Sequence, residues 1–105
     1  MEDEVNPMKN ASITNVKWGE IYLCDLGSNK GSVQSGKRPV LVLQNNIGNN
    51  NGPTTVVATI SSVLKKLNQP THILLDTSCG LREDSIVMLE QIRTVDKEKE
   101  LLEYI

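Results

Sequence analysis

Residues 27–53 read GSNKGSVQSGKRPVLVLQNNIGNNNGP, and this stretch decides the fold. At its centre Val40 to Gln44 (VLVLQ) is the strongest strand signal in the chain. Gly27 to Lys37, before it, holds three Gly, three Ser and two Lys in eleven residues. That composition cannot build a core element and reads as a long polar loop. Asn45 to Pro53, after it, is a second polar loop, rich in residues that tolerate positive φ. Pro39 belongs at the strand's first residue, where no ladder donor is needed. A single buried strand bordered at both ends by hydrogen-bonding loops points to a small β protein.

Working outward, Glu20 to Leu26 (EIYLCDL) predicts a strand with apolar residues on both faces. Met1 to Val16 is polar, contains Pro7 and has no period, so a flexible tail is expected over 1–16 and an ordered domain over 17–105. On the other side Thr54 to Ser61 is a strand, and Ser62 to Asn68 fits a short helix with Ser61 or Ser62 as N-cap. Pro70 to Leu75 predicts a fourth strand, and Asp76 to Asp84 a turn around Gly80. Ser85 to Val95 predicts a fifth strand, bent near Glu90, and the closing run KEKELLEYI has helical composition. Five short strands with tight turns imply a mainly β (α+β) fold, a small, strongly curved antiparallel sheet or barrel with short helices.

At 105 residues the chain carries one domain. It has no Phe, one Trp and two Tyr, so its core is aliphatic, which suits strands. The net charge of −2 lacks the basic excess usual in nucleic-acid binders. Any such site must be a local basic patch. Cys24 and Cys79 form no CxxC pair and read as free thiols of a reducing compartment. No signal peptide or apolar run of membrane-spanning length is visible, so a cytoplasmic protein without a membrane association is expected.

His72 is the only histidine, which removes a His/Cys zinc cluster within one chain. There is no P-loop and no GxSxG, and no acidic pair stands out as a two-metal site. Arg38, where the first loop enters the strand, is the residue of interest. Its guanidinium has five donors in a planar fork that matches a phosphate, and a surface salt bridge is the alternative use.

The motifs WGEIYLCDL, GSVQSGKRPVLVLQNNIGN, PTTVVATIS, PTHILLD and DSIVMLEQIRTVDK occur in that order between Lys17 and Lys97. In content and order they resemble the MazF/PemK (Kid) family of type II toxins, the mRNA interferases. The resemblance implies an SH3-like barrel of the CcdB/MazF type, normally a homodimer. It implies metal-independent, sequence-specific cleavage of single-stranded mRNA to 2′,3′-cyclic phosphate and 5′-hydroxyl ends, with no cofactor. The implied partners are an acidic MazE-like antitoxin and, through that antitoxin, DNA. By position the catalytic arginine falls on Arg38, and the catalytic hydroxyl, usually Thr, falls on Ser61. Ser32, Gln34, Lys37 and Gln91 match RNA-contacting positions. Family members continue past the point matching Ile105 into a further strand and a helix, so the domain is expected to be short at its C-terminus. An inactive barrel that binds antitoxin and a CcdB-like gyrase poison are the alternatives on the same fold.

Overall fold

The computed structural model describes residues 15–28, 36–64, 66 and 68–105. Six strands form one antiparallel sheet in these residues: β1 (Ile21–Asp25), β2 (Lys37–Val42), β3 (Thr54–Ser61), β4 (His72–Leu75), β5 (Ser85–Asp96) and β6 (Leu101–Tyr104). Their order across the sheet is β4-β5-β3-β2-β1-β6. A short helix, α1 (Asn46–Asn51), joins β2 to β3, and a 3-10 turn spans Thr77–Cys79.

The β-rich antiparallel class is as the sequence reads. The barrel does not close: β4 and β6 are the edge strands, with no ladder between them among the described residues. The sheet nevertheless curls. β3 pairs Ala58 with Ile92 but Thr59 with Met88, so Leu89 to Gln91 form an extra loop of β5. This bulge bends β5 at the expected place, around Glu90, because extra residues on one strand bend the ladder. At the far end of the curl Gly80, at φ 93, packs against the chain end, where a side-chain carbon would meet Ile105 at 3.7 Å.

Strand alternation gives the sheet two apolar faces. Val40, Val42, Val57, Val95 and Leu101 gather with Tyr22, Cys24 and Leu26 in one cluster. Ile21, Ala58, Ile60, Leu81 and Val87 form the other, joined by Leu41, Leu43 and Ile105. Val16 is fully buried in the first cluster, so packing begins inside the segment expected as a tail. Positions 1–14 of that tail lie outside the described residues.

Four expectations need correction. Pro39 is the third residue of β2, not its first, because Lys37 and Arg38 already pair with Asp25 and Cys24 of β1. The closing run of helical composition forms β6, because β1 offers it an open edge: Tyr22 pairs with Tyr104, and their rings meet at 5.4 Å. Tertiary pairing outweighs helix propensity there. Over 62–68 the described residues carry no helix, and Lys66 adopts φ 55, which a right-handed helix cannot accommodate. The loop expected over 45–53 contains α1 instead. Asn45 caps it by accepting from Gly48 N–H at 3.0 Å, while Asn49 donates to Gln44 O at 2.9 Å and accepts from Thr55 Oγ1 at 2.7 Å. Lys97 Nζ, buried, donates to Asn49 O. Among the described residues no helix is long and apolar enough to cross a membrane.

Candidate functional site

Backbone parity on β2 explains where the site opens. Val42 N–H donates to Glu20 O and Leu26 N–H donates to Gly36 O, both at 2.9 Å, so the even-numbered positions of this stretch bond toward β1. Leu43 N–H donates to Val56 O at 2.8 Å, so the odd-numbered positions bond toward β3. Pro39 is odd, and its missing N–H therefore falls on the β3 side. The last β2–β3 partners are Val40 and Thr59. Continuing that register by two residues sets Arg38 across from Ser61, beyond the paired region. Arg38 and Ser61 thus both lie on their strands beyond the last β2–β3 pair.

A cavity of about 440 Å³ lies at this end of the sheet. Leu23, Pro39, Ile60 and Leu81 give it apolar walls. Lys37 and Arg38 come to it from β2, Ser62 from just after β3, Arg82 and Glu83 from the β4–β5 connection, and Ser85 from the start of β5. Glu103 and Ile105 complete it from β6 and the residue that follows. Three cations, Lys37, Arg38 and Arg82, thus share the cavity with two carboxylates, Glu83 and Glu103, on a chain of net charge −2.

The structure brings Lys37 and Arg38 together at this cavity. Ser61 is buried at the end of β3, where its Oγ accepts from Val63 N–H at 3.1 Å. Its neighbour Ser62, and not Ser61 itself, lines the cavity. Gln91 lies in the β5 bulge, roughly 15 Å along the strand from Ile86, the partner of Ser61. It belongs to a different part of the surface. Ser32 and Gln34 lie outside the described residues. Ser62, Arg82 and Ser85 were not legible as site residues from sequence. The charged run Arg82-Glu83-Asp84 reads as an ordinary solvated turn until the curl of the sheet carries it over Ile60.

Beside Arg38 on β1 is Cys24, its paired residue. Burial, reinforced by Glu100 and Asp25 against the opposing pull of Arg93, pushes the Cys24 thiol up to about 12. It is therefore a packing residue and not a nucleophile. On β4, His72 Nε2 contacts Glu90 Oε2 at 2.8 Å, with the imidazole almost entirely covered. Among the described residues no three His, Cys, Asp or Glu side chains gather as a metal-binding set. The cavity offers cationic donors from Lys37, Arg38 and Arg82, hydroxyls from Ser62 and Ser85, and carboxylate acceptors from Glu83 and Glu103.

The family model for PemK-like, MazF-like toxins of type II toxin–antitoxin systems matches residues 17–105. The chain is 48% identical over 85 residues to Endoribonuclease EndoA of Bacillus subtilis, an alignment covering 80% of this chain and 73% of that protein. It is 46% identical over 90 residues to Endoribonuclease MazF of Staphylococcus saprophyticus, covering 83% of this chain and 75% of the relative. In structure it is similar to a mycobacterial endoribonuclease solved in complex with its cognate antitoxin, at a TM-score of 0.64 and 26% identity, covering 86% of this chain and 73% of the other.

Proposed function

The chain belongs to the family of PemK-like, MazF-like toxins of type II toxin–antitoxin systems, and from that premise we propose that it is an endoribonuclease cutting single-stranded mRNA at specific sequences without a metal. The observation that supports the reading is that Arg38 lines the cavity together with Lys37 and Arg82, at the end of the sheet where the β2–β3 pairing stops. The 2′-hydroxyl of the RNA attacks the adjacent phosphorus, and the bond to the 5′-oxygen breaks. A 2′,3′-cyclic phosphate and a 5′-hydroxyl result. Because the nucleophile belongs to the substrate, neither a metal nor a cofactor is needed to generate it.

The protein's task is then to stabilise charge. Arginine remains protonated, so Arg38 acts through its positive fork on the non-bridging oxygens as negative charge builds on the phosphorane. Ser61 supplies a hydroxyl hydrogen bond to one of those oxygens. Lys37 holds the flanking backbone, and Ser32, Gln34 and Gln91 contribute further RNA contacts. A duplex would hide the bases that the site must read, so unpaired RNA is the substrate.

The working form is a homodimer in the cytoplasm, held in check by an acidic MazE-like antitoxin that also links it indirectly to DNA. Trp18 and Tyr104, which are 66% and 61% exposed, supply aromatic surface for such contacts. Incubating the purified protein with an unstructured RNA in EDTA tests the reaction. Cleavage with cyclic phosphate ends is expected. A strict magnesium requirement, or products with 5′-phosphates, would overturn it.

A further inference from the structure

We propose that the cavity beside Arg38 is a subsite for one unstacked nucleobase, with Arg82 as its outer binding residue and Glu83 and Glu103 as the groups that read the base. The inference rests on the RNA-cleaving function and goes on to assign a role to residues outside the cleavage machinery. A volume of about 440 Å³ falls in the range of small-ligand sites. Its apolar walls of Leu23, Pro39, Ile60 and Leu81 offer surface to the face of a base and nothing to a phosphate.

Arg82 stands on the β4–β5 connection, while Lys37 and Arg38 approach from β2. It is exposed and donates no hydrogen bond among the described residues. Its planar guanidinium is therefore available to stack on a base inserted between it and the apolar wall. Phosphates are left to Lys37 and Arg38.

The two carboxylates give the cavity its selectivity. Glu83 and Glu103 would repel a phosphate, so they are misplaced for holding the RNA backbone. Neither carboxylate accepts a hydrogen bond among the described residues. A carboxylate accepts well from an exocyclic amine, which adenine, cytosine and guanine carry. Uracil carries none, and its one donor on that edge, N3–H, is flanked by two carbonyl oxygens that the carboxylates repel. The subsite thus takes an amine-bearing base and rejects uracil.

An amide NMR titration of the full chain with the 5′-monophosphates of adenosine, cytidine, guanosine and uridine tests this without requiring turnover. Shifts centred on Ser62 and on Leu81 to Ser85 are expected, with uridine monophosphate binding about tenfold more weakly than the others. Arg82→Ala should weaken all four and raise KM for RNA while kcat is kept. Glu83→Gln combined with Glu103→Gln should abolish the discrimination against uridine. Equal binding of all four nucleotides, or shifts confined to other surfaces, would overturn the assignment. If the protein cleaves RNA and Arg82→Ala keeps the original KM, the subsite falls and the nuclease reading stands. If the protein cleaves no RNA, the nuclease reading falls and the titration still decides the subsite.

Discussion

His72 Nε2 lies 2.8 Å from Glu90 Oε2, a contact that ties the edge strand β4 to β5 at the point where β5 bends. Partial burial raises the Glu90 pKa, but hydrogen bonds from His72, from its own backbone and from Thr71, with the His72 charge, outweigh this and bring it below the usual 4.5. A carboxyl whose pKa is lower in the folded state stabilises the fold above its unfolded value. That contribution is lost as pH falls through the folded value. Stability should therefore decline below about pH 4.5, with Asp76, held low by its Ser78 hydrogen bonds, adding to the effect. Glu90→Gln should flatten the decline in urea denaturation run from pH 6 to pH 3. A mutant curve parallel to that of the unaltered protein would show the pair to be inert.

Arg38 and Ser61 differ in how directly they meet the cavity, and their variants should differ accordingly. Arg38→Ala should lower cleavage by roughly 10²–10³, the usual cost of a lost charge-stabilising donor. Ser61→Ala should cost less, and Ser61→Thr should remain active because it restores the family's usual hydroxyl. Ser62→Ala serves as the comparison, since Ser62 lines the cavity while Ser61 is engaged with Val63 N–H. A larger loss from Ser62→Ala than from Ser61→Ala would move the hydroxyl role to Ser62.

The thiols should report the packing of β1. Cys24 is fully buried, with its thiol pushed up to about 12, whereas Cys79 is exposed. Only thiolates attack disulfide reagents at a useful rate. Titration with a chromogenic disulfide at pH 8 should therefore release one equivalent quickly from the folded protein, and two in denaturant. Two fast equivalents from the folded state would mean that the β1 face opens readily.

How much of this was readable in advance varies by element for physical reasons. The TTVVATIS and SIVMLEQIRTV runs declare themselves as strands because β-branched residues suit a pleated, packed surface. The bend near Glu90 was visible where the apolar run gives way to polar residues. By contrast, Asn46 to Asn51 has loop composition, and its helix depends on Asn49 bonding to Gln44 and Thr55, contacts that no local pattern encodes. Leu101 to Tyr104 looks helical in isolation and becomes a strand because β1 has a free edge. At the candidate site Arg38 stood out through its motif. Arg82 did not, since only the curl of the sheet brings it near Ile60.

Thr59 offers a stability test away from the cavity. It lies on β3 between Val40 and Met88, its cross-strand partners, and is 1% exposed. Its Oγ1 is buried with no hydrogen-bond partner among the described residues. A hydroxyl in that position has lost its water without replacement, which costs about 1–3 kcal/mol. Thr59→Val keeps the branched shape that suits the strand and removes the unpaired group, so it should stabilise the fold by about 1 kcal/mol, a rise in Tm of about 4–8 °C. Val57→Ala, two residues earlier on the same face and fully buried, should instead destabilise by about 2 kcal/mol through lost contacts and a residual cavity. RNA cleavage by Thr59→Val should match that of the unaltered protein, because Thr59 does not line the cavity. If Thr59→Val melts lower than the unaltered protein, the hydroxyl has a partner in solution and the reading of that face of the sheet is wrong.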